Sequence, residues 1–245
     1  MKELEVARLA LPDGARTTVY VLRLPRERWR GRVVRMRPLR RLREWCRSNG
    51  VDNAIIGGFF LRPFDRPLGE IWVDGERLPS EPWPAPWDEE RSCVHFDGGS
   101  VRLRPRAELP ASIRGDLLQA GPLLVRDGRV LIEPGRDPEG FSAGCDLFDS
   151  DITIGRYPRA AIGVNDRELI AFACDGRCDA DAGMTLGELA AAMRDAGARD
   201  ALNLDGGGST SLIAGGELVN VPRKRQDLEI PGGRTIPTAL AFEPR

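Results

Sequence analysis

At 245 residues the chain fits one large domain or two small ones and is long enough to bury a sizeable core. Its 36 basic and 37 acidic residues nearly cancel to a net charge of −1, which argues against a surface built to bind nucleic acid. No run approaches the ~20 apolar residues of a membrane-spanning helix. Glycine (28) and proline (19) stay below the share of a disordered chain and imply many turns.

The N-terminal segment reads as a strand, a turn at Pro12-Asp13-Gly14 and a second strand. It lacks a basic region followed by an apolar one, so no signal peptide is expected and the protein is read as cytoplasmic. The five cysteines are an odd number without the spacing of a disulfide framework, and free thiols are expected. From Leu22 to Arg47 arginine is the commonest residue. Leu39, Leu42, Trp45 and Cys46 recur there at helical spacing, which predicts an amphipathic helix started after Pro38 and ended by Asn49-Gly50. Its basic face is either a solvated surface or a patch for an anionic polymer. No aromatic platform accompanies it, so the solvated face is preferred.

Val51 to Phe60 reads as a buried strand ending in a glycine pair and two aromatics. A loop rich in proline and tryptophan is expected between Pro79 and Asp97, as a lid, an insertion or a packing flap. Val101 to Arg104 alternates like a half-exposed strand. Leu123 to Ile132 carries a hairpin signal around Asp127-Gly128. Arg159 to Val164 and Glu168 to Cys174 form a strand pair, and Thr185 with Glu188 fits a capping box. Leu186, Leu189, Ala190 and Met193 make one apolar helical face, closed by Gly197.

The strand Ala201 to Asp205 runs into Gly206-Gly207-Gly208-Ser209. Alternation puts Leu202 and Leu204 on the core face and Asn203 and Asp205 on the other. Three glycines without Cβ atoms can form an amide nest for phosphate or an oxyanion, or a tight turn needing positive φ. A phosphate-binding nucleotide loop would need a lysine and a following helix, and a dinucleotide fingerprint also needs the helix. Strands follow instead. Cys174 and Cys178 around Asp175-Gly176-Arg177 lack the further ligands zinc would need, and His95 is the single histidine. No nucleophile elbow accompanies that histidine, which argues against serine-hydrolase chemistry.

Gly183 to Leu186, Glu188 to Ala190, Gly197-Ala198 and above all Ala201 to Ser209 (ALNLDGGGS) resemble the phosphodiester glycosidase domain. So do Pro158 to Gly163, the Asp175-Gly176-Arg177 turn, Gly121 to Gly128, Asn220-Val221-Pro222 and Arg234 before the last strand. The resemblance is best over 119–242. It implies a glycosidic hydrolase acting on a sugar-1-phosphodiester or related small-molecule or oligosaccharide substrate. No cofactor, metal, nucleic-acid or membrane partner is expected. Asp205, Asp175 and Arg159 are then the candidate catalytic residues. Asn203, Gly206, Gly207, Gly208, Ser209, Arg234, Gly57 and Gly58 are the candidate substrate-binding ones. Where the family commonly has asparagine this chain has Ile56, and an apolar cleft wall is expected there. The rival class is a carbohydrate- or phosphate-binding relative without turnover. The expected fold is α+β: one domain over 1–245 with a largely antiparallel sheet core and packed helices.

Overall fold

The computed structural model describes residues 3–61, 66–142 and 152–245. The first two strands, Leu4–Ala10 and Arg16–Pro25, pair antiparallel around the Asp13-Gly14 turn, where Gly14 has φ of +86°. They open a seven-stranded sheet that continues through Glu168–Cys174, Arg159–Val164, Asp200–Asn203, Leu123–Arg126 and Arg129–Val130. A second sheet has five strands in the order Glu217–Leu218, Leu212–Ala214, Asn53–Ile56, Thr235–Pro244 and Trp29–Arg41. A third, also five-stranded, runs Ser100–Pro105, Ser92–Asp97, Asp116–Gln119, Ile71–Val73 and Glu76–Arg77. Within these sheets the strand pairs are antiparallel.

The main core joins all three sheets, with Leu22, Ile55, Leu118, Ile162, Leu202 and Leu240 fully or almost fully buried in it. Burying a side chain of this size stabilises by about 1.5–3 kcal/mol. A separate cluster lies on the other face of the large sheet, where the helix Leu186–Asp195 sets Leu186, Leu189, Ala190 and Met193 against Ala161, Ile170 and Ala201. That helix starts as its sequence predicts: Thr185 Oγ1 accepts from the Glu188 amide at 3.1 Å and Glu188 Oε2 from the Thr185 amide at 2.9 Å. No helix among the described residues is long and apolar enough to cross a membrane.

The largely antiparallel sheet core stands as expected; with helices few and short, the chain is more β than the α+β label implies. Two local expectations are corrected. The arginine-rich segment is mostly the strand Trp29–Arg41, and the helix starts at Leu42, not after Pro38. The reason is tertiary: that strand pairs with Thr235–Pro244 along almost its whole length, from Trp29 opposite Pro244 to Arg41 opposite Thr235. Backbone pairing overrides the helical spacing of its apolar residues. Arg43 and Arg47 both pair with Glu217, in keeping with a solvated face. Finally, the segment expected to be loop up to Asp97 contains the buried strand Ser92–Asp97, and His95 bonds the Arg114 carbonyl there at 2.8 Å.

The rest of that segment is a packing flap. Trp83 packs edge-on against Phe59 and Phe141, and the fully buried Arg91 guanidinium stands 3.8 Å from the Trp83 ring centre and 4.0 Å from that of Phe141. Cys46, Cys93, Cys174 and Cys178 are free thiols; Cys145 lies outside the described residues.

Candidate active site

The strand register brings the candidate residues to one end of the molecule. In the large sheet Ala161 faces Asn203, so the start of Arg159–Val164 lies beside the chain leaving Asp200–Asn203. Leu204 donates to the Ala160 carbonyl at 2.9 Å, and the Asp205 amide donates to the Gly57 carbonyl at 3.0 Å. The glycine pair thus ties the end of the second sheet to the Asp205 turn. Arg234 immediately precedes the strand Thr235–Pro244 of that sheet and reaches the same place. A cleft of about 350 Å³ opens between them.

Two of the three glycine amides are not free for the nest the sequence allowed. The Gly206 amide is taken by Asp205 Oδ1 at 2.9 Å and the Gly207 amide by the Pro158 carbonyl at 2.8 Å. What the glycines supply is room. A Cβ on Gly208 would stand 2.5 Å from Arg234 Nη2, one on Gly207 3.0 Å from Arg177 Nη2, and one on Gly206 2.9 Å from the Pro158 oxygen. Gly207 also has φ of +59°, a conformation side chains disfavour. The NLDGGGS turn therefore lets two guanidinium groups close on the backbone beside Asp205.

Four cations line the cleft: Arg159, Arg177, Lys224 and Arg234. Arg159 is 3% exposed and donates to three carbonyls, of Met184 (2.9 Å), Ile152 (2.9 Å) and Gly155 (3.3 Å). Burial pushes its guanidinium down to about 10, so it remains charged at neutral pH. Arg177 has φ of +62° and donates from Nη1 to the carbonyls of Arg223 (3.0 Å) and Lys224 (2.6 Å). The Tyr157 ring centre lies 5.3 Å from both the Arg159 and the Arg177 guanidinium. Arg234 Nη1 donates to the buried Ser209 hydroxyl at 3.1 Å. Against these cations the described lining contains one carboxylate, Asp205.

The second candidate acid is elsewhere. Asp175 is buried, accepts from Tyr20 Oη (2.8 Å) and from the Val221 amide (2.7 Å), and does not line the cleft. Burial raises its carboxyl above the usual range despite these bonds. It anchors the segment after Asn220 to the large sheet. Asn220 in turn holds the 210–220 loop, accepting from the Leu212 amide and donating to the Thr210 carbonyl.

Gly57 and Gly58 do not line the cleft either; a Cβ on Gly57 would meet Thr238 at 2.5 Å and one on Gly58 the Gln119 oxygen at 2.9 Å, so both serve close packing behind it. The strand ends beside the Asp205 turn as expected, but Ile56 is fully buried in the main core and forms no wall of the cleft. The apolar wall comes from Phe59, Phe60, Leu68 and Ile152. Asn203 is buried in the cleft lining, donates to the Gly121 carbonyl at 2.8 Å and leaves its Oδ1 without a hydrogen-bond partner among the described residues. No group of three or more His, Cys, Asp or Glu among the described residues is arranged to hold a metal ion.

The phosphodiester glycosidase family model matches residues 49–243 of this chain, well over half of it. The chain belongs to the phosphodiester glycosidase family. One relative is the N-acetylglucosamine-1-phosphodiester alpha-N-acetylglucosaminidase of Mus musculus, 29% identical over 183 residues. The match takes in 71% of this chain and 34% of that protein, so the chain spans about a third of the relative's length. Among solved structures, the zebrafish enzyme of the same name, as a catalytic domain auto-inhibited by its pro-peptide, superposes with a TM-score of 0.72 at 18% identity. It covers 99% of this chain and 82% of the zebrafish one. A hypothetical protein from Synechocystis gives a TM-score of 0.66 at 20% identity, over 100% of this chain and 63% of that one. At these identities the superpositions establish a shared fold.

For this family member, sequence reasoning placed Asp205, Arg159, Asn203, Gly206, Gly207, Gly208, Ser209 and Arg234 together, and the fold does bring them to one cleft. It missed Tyr157, Arg177 and Lys224 as lining residues. The signals were there: Tyr157 adjoins the Pro158-Arg159 pair, Arg177 ends the flagged Asp175-Gly176-Arg177 turn, and Lys224 sits in a basic triplet after Pro222.

Proposed function

We propose that the cleft hydrolyses the C1–O bond of a sugar-1-phosphodiester, consuming water and releasing the free sugar and a phosphomonoester. The observation that carries this reading is the setting of one carboxylate, Asp205, against four cations in a single cleft. Cleavage at C1 passes through an oxocarbenium-like transition state that a carboxylate stabilises, attacks or supplies with activated water. A phosphoryl leaving group departs as an anion, so it calls for cationic stabilisation more than for a proton. Asp205 fills the first role and Arg159, Arg177 and Arg234 the second. A single carboxylate suffices because the leaving oxygen needs no general acid.

The remaining residues position. Asn203 Oδ1, an acceptor lacking a partner among the described residues, takes a sugar hydroxyl, and Ser209 is oriented by Arg234. Asp175 holds the wall without touching substrate. Phe59 and Phe60 offer the apolar face against which a sugar ring lies. A panel of sugar-1-phosphodiesters and aryl glycosides tests the reading. The expected result is turnover of at least one diester, with Asp205→Asn slower by ~100-fold or more, the low end for a positioned acid or base, and a Tm close to wild type. If no member is turned over while sugar phosphates still bind by calorimetry, the chain is a binding module and the proposal falls.

A further inference from the structure

The cleft does not end at Lys224. A second pocket of about 370 Å³ adjoins it and shares Tyr157, Arg177 and Lys224 with it. The shared edge is the hairpin of Arg223–Arg225 with Leu228–Glu229. Arg177 pins that hairpin from below. Its guanidinium donates to the Arg223 and Lys224 carbonyls, and its own carbonyl accepts from the Asp227 amide at 2.8 Å. The hairpin is therefore a fixed part of the wall, and it presents Lys224 and Arg225 toward the second pocket.

The charges of this pocket are not internally balanced. Arg156 is neutralised by Asp13 and Glu188. Asp181, the one carboxylate of the described lining, is paired with Arg8 at 3.7 Å and accepts from the Thr18 amide (2.7 Å) and hydroxyl (2.8 Å). Gln226 bonds Asp179 at 3.2 Å. Lys224 and Arg225 form no ion pair among the described residues, and the lining's one described carboxylate, Asp181, pairs with Arg8 instead. A cationic track thus runs from Asp205 past Tyr157 and Arg177 to Arg225.

We infer that this second pocket, through Arg225 with Lys224 at the shared edge, binds a second phosphoryl group carried on the leaving-group side of the substrate. The inference rests on the reading of the cleft as a sugar-1-phosphodiester site: the scissile phosphoryl sits among Arg159, Arg177 and Arg234, and the track continues away from Asp205. The substrate class becomes a glycosyl phosphodiester with two phosphoryl groups, either joined as a diphosphate or separated by a short spacer, as in a phosphodiester-linked chain. Charged contacts at such an open site weaken with ionic strength, which gives the test a signature.

The test has a binding arm and a kinetic arm, both on the full chain at low and at physiological salt. Calorimetry compares ethyl phosphate with inorganic pyrophosphate and with the bisphosphates of ethane-, propane- and butanediol. Wild type is expected to bind one of the doubly charged probes at least ~5-fold tighter than ethyl phosphate, the scale of one or two exposed ion pairs. Arg225→Ala should cut that preference below about two-fold, and Arg40→Ala, on the edge strand of the second sheet and in the lining of neither pocket, should leave it intact. Whether pyrophosphate or a spaced bisphosphate binds tightest identifies the source. The kinetic arm compares propyl and 3-phosphopropyl leaving groups; Arg225→Ala should erase the preference for the second while leaving the propyl diester within about two-fold of wild type.

Equal binding of single and double phosphates, or a preference that survives Arg225→Ala or is lost in Arg40→Ala, overturns the inference. Turnover of the propyl diester without any preference overturns it too and leaves the proposed function standing. If neither diester is turned over, it is the proposed function that fails, and the calorimetric comparison decides the second site by itself.

Discussion

Gly208→Ala separates two uses of the glycine turn, as space for Arg234 or as a source of backbone amides. The new Cβ would stand 2.5 Å from Arg234 Nη2 and 3.0 Å from Ile230 Cδ1, and the side-chain end is the softer neighbour. The backbone at Gly208 does not need positive φ, so alanine is tolerated and even slightly favoured through the unfolded chain, by about 0.4–1 kcal/mol. Arg234 should therefore swing out of the cleft and give up its 3.1 Å bond to Ser209. A hydrogen bond to a charged group contributes ~1.5–3 kcal/mol, so kcat/KM on a sugar-1-phosphodiester should fall about 10- to 150-fold while Tm stays within a few degrees. The assay is a double-mutant cycle. In an Arg234→Ala background Gly208→Ala should do almost nothing further. If the two effects multiply, the glycine acts through its own backbone and the steric argument is wrong. Gly206→Ala provides the contrast: its Cβ meets the Pro158 backbone oxygen at 2.9 Å, so it should cost stability as well as activity.

Two buried carboxyls outside the cleft should report on stability. Asp175→Ala leaves Tyr20 Oη and the Val221 amide without an acceptor, a loss of about 2–4 kcal/mol that scanning calorimetry should register as a Tm lower by roughly 5–15 °C. Glu139 is buried beneath Leu123 and Ser92, and burial pushes its carboxyl from the ordinary 4.5 up to about 7 despite three donors. Its folded value lies above its unfolded one, so folding takes up a proton between them. The stabilisation is complete below pH ~4.5 and lost as pH rises through ~7, at most about 3 kcal/mol. Subtracting the stability–pH curve of Glu139→Gln from that of wild type should reveal this fall, and parallel curves would show that Glu139 does not titrate there.

Legibility in the sequence followed how local each cause is. The Asp13-Gly14 turn, the Thr185 capping box and the paired strands on either side of Asn165-Asp166 each depend on a few neighbouring residues, and all stand as read. The strand Trp29–Arg41 was misread because its partner, Thr235–Pro244, lies some two hundred residues away and leaves no mark on the local spacing. The strand Ser92–Asp97 is buried on both faces, so it lacks the alternation that announces a strand. The same divide runs through the site. NLDGGGS announced a pocket, but its purpose was set by distant arginines, since what would crowd Gly207 and Gly208 is Arg177 and Arg234. Asp175 and Asp205 look alike in sequence, and tertiary contacts alone assign one to the frame and the other to the cleft. Ile56 was placed at the right strand end, yet side-chain direction turned it into the core.

The central claim is that water enters at the sugar carbon and not at phosphorus. Turnover of a sugar-1-phosphodiester in ¹⁸O-enriched water, followed by phosphorus NMR of the released phosphomonoester, tests it directly. Cleavage of the C1–O bond leaves the bridging oxygen on phosphorus, so the account predicts a phosphomonoester free of ¹⁸O. Label in that phosphomonoester would mean attack at phosphorus, and would make Asp205 and its arginines the apparatus of a phosphodiesterase rather than of a glycosidase.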